Sequence, residues 1–468
     1  MFATGLRRVA PMAFTIAAAL AAPCPAAEPP HPPADAAALL ASLRDAASAD
    51  NLAHERLEQL CDRIGPRLAG SPAFARAVDW AAGVLRADGN ENVHLEPVAV
   101  PVWVRGRERL TMLAPAQRDL PMLGLGLSVG TPGIEAPVVV VRSFDELGPR
   151  AKGAIVVYDV PMSTALPTGA QYGAAVQFRG RGASEAARHG AVAALVRSVT
   201  TRSLATPHTG VMHYDDDAEK IPTAAITPED AAWLDRLTVA GVPVRLRLEM
   251  EAHLAGEATD HNVVGEIVGR ERPDEVVLVG AHLDSWDVGQ GANDDGIGVI
   301  ETLETLRLIR GLPQKPARTV RAVLFADEEE GLLGGRAYAA AHAGERLVAA
   351  IESDFGAGAP ESWGFTGTPA QTAWFMSAAQ PVGLPARLGG GGSDISALSG
   401  QGVLTIGLGP DDTHYFDIHH SQADTLDKID PALLREGIAA VARLVWQLAN
   451  APEAPLPAPR PTPAPAPH

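Results

Sequence analysis

The 468-residue chain carries 38 Lys and Arg against 56 Asp and Glu, a formal charge of −18 that argues against a nucleic acid or an anionic membrane surface as partner. Hydrophobic residues at 46% and charged residues at 20% are ordinary globular usage, which excludes a wholly disordered or fibrous chain. Only two cysteines occur, Cys24 and Cys61, so neither a disulfide framework nor a thiolate zinc site is available, and any bound metal must be held by His, Asp and Glu.

In chain order, Arg7 and Arg8 precede an apolar run from Val9 to Leu20 that is too short to span a bilayer, and small residues follow from Ala21 to Ala27. Residues 1–27 therefore read as a signal peptide, giving an exported protein, periplasmic or secreted. A retained anchor helix and a lipid on Cys24 are the competing readings. Residues 35–112 begin with helical spacing broken at Gly65-Pro66-Arg67 and at Gly70-Ser71-Pro72, where Ser71 is placed to cap the next helix, and then turn to short β-type runs such as Val98–Val104. Residues 113–254 carry apolar runs among many Gly and Pro turns and read as an inserted β-rich unit. From 255 to 450 the pattern alternates: apolar runs at 276–281, 319–326, 347–353 and 403–408, with helical patterns at 295–310, 331–343 and 431–449. This alternation predicts an α/β fold, a mostly parallel or mixed sheet sandwiched by helices. The segment 451–468 is Pro/Ala-rich and predicts a disordered tail.

The chemistry lies in the last block. The run 276–281 ends in His282-Leu283-Asp284, and the next unit is entered through Asn293-Asp294-Asp295-Gly296. The run 319–326 ends in Asp327-Glu328-Glu329-Glu330-Gly331, the next in Glu352-Ser353-Asp354, and that at 403–408 leads to His414 and His419-His420. Open α/β sheets bind ligands at the carboxyl ends of their strands. One acid there reads as a helix cap; acids and histidines after every strand read as a cation site. Imidazole beside carboxylate favours zinc over magnesium or calcium. So many carboxylates exceed one ion's needs, and a pair of zinc ions roughly 3.5–4 Å apart, sharing a bridging carboxylate and a water, fits the charge.

These residues resemble the dinuclear zinc exopeptidases, a family that includes bacterial leucyl aminopeptidases. The stretch Gly280-Ala281-His282-Leu283-Asp284-Ser285-Trp286-Asp287-Val288-Gly289-Gln290-Gly291-Ala292 is most like its plasma glutamate carboxypeptidase (carboxypeptidase Q) group. The ordered family pattern of His-x-Asp, Asp-Asp-x-x-Gly, Glu-Glu-x-Gly, Asp and His-Ser-x-x-Asp-Thr is met throughout. The resemblance implies that Asp294 bridges two zinc ions, with His282 and Asp354 completing one site and Glu329 and His420 the other. It implies Glu328 as general base, Asp284 as the group orienting His282 through its second ring nitrogen, and Asp424 as the residue that fixes the His420 motif. His419 competes with His420, Glu352 competes with Asp354, and Glu330 is read as a solvated charge at a helix start. The zinc peptidase domain would comprise 35–112 and 255–450, with 113–254 resembling a protease-associated domain. The implied activity is removal of single amino acids from short peptides, as aminopeptidase or dipeptidase, with the carboxypeptidase Q likeness tilting toward dipeptides; relatives often form homodimers.

Weaker signals have other readings. Gly126-Leu127-Ser128-Val129-Gly130 matches a serine-hydrolase elbow, but Thr131-Pro132-Gly133 and a β-run follow where a helix is needed. A serine hydrolase using Ser128 and a non-catalytic, receptor-like binding domain are the rival functions. His208, His213 and Asp215–Asp217 are read as an exposed polar loop rather than a metal site. Gly389–Gly392 beside Asp394 is either a mobile loop near substrate or a permissive turn.

Overall fold

A computed structural model describes residues 34–49, 51–165 and 168–457. The expected signal peptide, with Cys24, and the tail beyond 457 lie outside the described residues. Among the described residues no helix is long and apolar enough to cross a membrane.

Two eight-stranded sheets organise the described residues. In the first, four adjacent strands run parallel, in the order Arg318–Phe325, Arg272–His282, Arg346–Glu352, Leu404–Pro410. Strand 318–325 is buried along its whole length, and Val, Ala, Leu and Phe dominate it, because helices cover both faces. Helix Ile297–Arg310 lies against helix Pro431–Asn450 and is buried on nearly every side. Helix Pro72–Ala87 starts as expected: the Ser71 hydroxyl accepts from the Phe74 amide at 3.1 Å. The fully buried Arg67 donates to the carbonyls of Leu283, Gln290 and Gly291 at 2.6–2.9 Å, fixing the loop that follows strand 272–282.

Beyond the parallel core, strand His253–Ile267 pairs antiparallel with 318–325, and strand Glu91–Val104 pairs antiparallel with 253–267. These two neighbours form a ribbon that leads out to the second sheet and back. That sheet begins at Glu108, five residues before the expected boundary at 113, and includes strand Arg245–Met250. It also differs from the β-rich expectation. Strands Thr131–Val141, Ile155–Tyr158, Ala193–Arg197 and Thr223–Ile226 are parallel neighbours; helix Thr168–Arg188 joins the second to the third, and helix Pro228–Val239 leads from the fourth to strand 245–250. Parallel strands need crossovers, so the unit is mixed α/β.

The chain after Asn450 also departs from the expected disordered tail up to 457. The buried Arg318 guanidinium holds the carbonyls of Leu448, Ala451 and Pro452 at 2.7–3.0 Å, and Leu456 packs on the core.

Candidate active site

Strand register explains how distant motifs meet. His282 is the last residue of its strand and pairs with Phe325, while Gly280 pairs with Glu352. Two residues further on, His282 and Asp354 therefore stand level at the same edge. His282 Nε2 lies 3.3 Å from Asp354 Oδ1 and 3.3 Å from Asp294 Oδ1. The other oxygen of Asp294 faces the opposite way: Oδ2 is 3.3 Å from His420 Nε2, which is 2.9 Å from Glu329 Oε2. One carboxylate thus joins two groups of donors. The Asp294–Asp295 peptide is cis, and His420 sits in the left-handed region at φ 59°.

The set fits a pair of divalent cations. His282 Nε2, Asp294 Oδ2, Glu329 Oε1 and Asp354 Oδ1 are buried with no hydrogen-bond partner, a costly state for groups of this polarity. Donors held 2.0–2.2 Å from a tetrahedral zinc stand roughly 3.3–3.6 Å apart, close to most of the spacings seen here. With no cation, burial followed by the charges of Asp354 and Glu329 pushes the Glu328 carboxyl well above the usual range.

Asp295 and Glu352, two of the competing residues, are already held by backbone amides. Asp295 also lies within reach of His282 and Asp354, but its oxygens accept from the backbone amides of His282 at 3.2 Å and Gly298 at 3.0 Å. Glu352 is committed to the amides of Asp394 and Ile395. His419 remains a competitor: its Nε2 is 3.6 Å from Asp294 Oδ2, it groups with Asp294 and His420 as a candidate cation set, its Nδ1 has no partner, and its ring stacks on His420 at 3.5 Å between centroids. Asp424 accepts from the amides of Asn293 and Asp294 at 2.7 and 3.1 Å, so it fixes the backbone that carries the bridging carboxylate.

Asp284 does meet the second ring nitrogen of His282, through its backbone: the Asp284 carbonyl accepts from His282 Nδ1 at 3.1 Å, and the carboxylate, 3.8 Å from the same nitrogen, accepts from the amides of Glu328 and Glu329. Two expectations, on Glu330 and His208, need correction. Glu330 is not solvated; it is 2% exposed, and burial, then Asp327 and Asp284, push its carboxyl to about 9. His208 is not in an exposed loop but buried against the His419 carbonyl, whereas Asp215 and Asp217 do form a surface ion pair with Arg188. The Gly389–Gly392 turn is shaped by close approach, since a Cβ on Gly392 would lie 2.2 Å from Glu352 Cδ.

A cavity of about 520 Å³ opens over these residues. Asp294, Glu328, Glu329, Asp354 and His420 line it together with Tyr172, Arg179 and His213 of the second unit. That unit is held down by contacts at the site itself. The Thr209 amide donates to the His420 carbonyl at 2.8 Å, Tyr172 stacks on Phe416, and Arg105 holds Asp287 by two bonds of 2.8 and 2.6 Å.

Comparison with known proteins points to a peptidase family. Residues 262–445 match the profile of peptidase family M28. Carboxypeptidase Q of Bos taurus is 42% identical over 427 residues, covering 89% of this chain and 88% of the relative. The chain belongs to peptidase family M28. Among solved structures, a peptidase M28 precursor from Shewanella amazonensis superposes with TM-score 0.86 at 38% identity, covering 91% of this chain and 99% of that one. A zinc aminopeptidase from Bacillus subtilis shares the fold at TM-score 0.62 and 22% identity, covering 84% and 94%. The M28 chain is a metallopeptidase with the α/β fold expected from its sequence.

Membership of M28 leaves Ser128 without a catalytic part. Its hydroxyl is 1% exposed, donates to the Val129 carbonyl and accepts from the Thr223 amide, and Gly126 lies against Trp286. Among the described residues no His or acid hydrogen-bonds to it, and a strand follows where the elbow needs a helix. Ser128→Ala should cost about 1 kcal/mol of stability and keep chelator-sensitive peptidase activity. Loss of activity at normal metal content would return Ser128 to the site.

Proposed function

We propose that this M28 chain is an exported exopeptidase that hydrolyses short peptides with two zinc ions, one held by His282, Asp294 and Asp354 and the other by Asp294, Glu329 and His420. The observation that carries the reading is Asp294, whose two oxygens face two separate donor groups with unpartnered atoms. A metal pair bound there supplies Lewis acidity to the scissile carbonyl and to the attacking water. Glu328, half-buried on the cavity wall with its amide tied to Asp284, takes the proton from that water and returns it to the leaving amine. Asp284 sets where Glu328 stands, and Asp424 sets where Asp294 stands. Export rests on the charge and apolar pattern of residues 1–27. The unit around the second sheet acts as a protease-associated-like wall that limits what enters.

Dialysis against a strong chelator should abolish cleavage of a panel of dipeptides, tripeptides and aminoacyl amides, and zinc should restore it. Metal analysis should find about two zinc per chain. Activity that survives complete removal of metal would overturn the reading. Two bound zinc with no cleavage of any panel member would favour the receptor-like alternative.

A further inference from the structure

A histidine that binds a metal through one ring nitrogen is normally steered by a hydrogen bond from the other. His282 has that brace: its Nδ1 donates to the Asp284 carbonyl at 3.1 Å. His420 has no such acceptor among the described residues. With Nε2 turned to a metal, its ring proton sits on Nδ1, and Nδ1 meets Arg179 Nη1, itself a donor, at 3.4 Å. Its own backbone does not favour the placement either, because φ is 59°, in the left-handed region that strains a residue with a side chain. Something outside the residue has to hold it.

The holding groups come from the second unit. The Thr209 amide donates to the His420 carbonyl at 2.8 Å, and Nδ1 of the adjacent His208 donates to the His419 carbonyl at 2.5 Å. Two consecutive residues thus grasp two consecutive carbonyls. His208 is 3% exposed, so its bond is sheltered from water. The grasping segment is pinned in turn to its own unit. The His208 amide donates to the Ser198 hydroxyl at 2.8 Å, the Thr209 hydroxyl to the Gly124 carbonyl at 2.8 Å, and the Gly126 amide to the Gly210 carbonyl at 3.0 Å. The other donor group owes nothing to that unit: His282 is braced by Asp284 and Asp295, and the amide of Asp294 by Asp424.

We propose that His208 is a positioning residue of the metal centre, fixing from the second unit the backbone that carries His420, so that the site of Asp294, Glu329 and His420 is complete only when the two units are docked. The inference rests on the two-zinc reading. It makes the second unit a structural part of one metal site and leaves the other site independent of it.

The test titrates the zinc-loaded full chain with a chelator and counts the zinc that remains. His208→Phe keeps a ring but removes the donor, and should weaken one of the two zinc ions by about 10- to 100-fold while the other holds as in the wild type. His208→Asn returns an amide nitrogen to the place of Nδ1 and should restore the wild-type titration, which a role in packing alone would not do. Adding His208→Phe to His420→Ala should weaken the remaining zinc no further. If His208→Phe does not fold, Ser198→Ala, which frees the His208 amide, decides the matter by a smaller weakening of the same single zinc. Both zinc ions held as tightly as in the wild type, both weakened alike, or His208→Asn no better than His208→Phe would overturn the proposal. A wild type that binds fewer than two zinc ions would instead overturn the two-zinc reading beneath it.

Discussion

Asp294→Ala should strip the protein of both metal ions and reduce peptidase activity to background. Each oxygen of this carboxylate faces its own donor group, His282 and Asp354 on one side and His420 and Glu329 on the other. Removing the shared ligand leaves two donors on each side, too few for a tight zinc site. His282→Ala provides the graded comparison, since it spares Asp294, Glu329 and His420 and should lose one zinc of two together with most of the rate. Metal content after gel filtration, measured beside activity, separates these cases. Two zinc retained by Asp294→Ala would show that the carboxylate does not bridge.

Glu328→Gln should lower kcat by about 10²- to 10⁴-fold, the usual contribution of a positioned general base, while zinc content stays near normal. The substitution is isosteric and leaves the Glu328 amide bonded to Asp284 at 3.1 Å, so the adjoining Glu329 keeps its place. The amide side chain cannot accept the water's proton at neutral pH. Activity of Glu328→Gln near the wild-type level would remove it from the proton transfer.

Much of the site was legible because its residues are tied to strand ends. The runs at 276–281, 319–326, 347–353 and 403–408 are apolar over nearly their full length, the mark of strands covered on both faces, and each delivers its polar residues to the same edge. What escaped the sequence has identifiable causes. Strand 253–267 starts polar and exposed because its first half belongs to the ribbon rather than the core. Glu330 looked solvated because acids are common at helix starts, but this helix is only four residues long and Leu332 turns left-handed at φ 56°, and Glu330 ends up buried. Arg179 and Tyr172 lie about a hundred residues before the first metal motif, on a helix whose apolar stripe is blurred by Gly169, Gly173, Gly180 and Gly182. No spacing rule connects such a helix to His420; only the docking of the two units does.

That docking roofs the metal ligands with a helix from a unit that is itself anchored to the His420 backbone. A chamber of about 520 Å³ admits a few residues of loose peptide and turns away any folded polypeptide. A peptidase working inside such a chamber would spare folded proteins and take only chains already loosened or cut short.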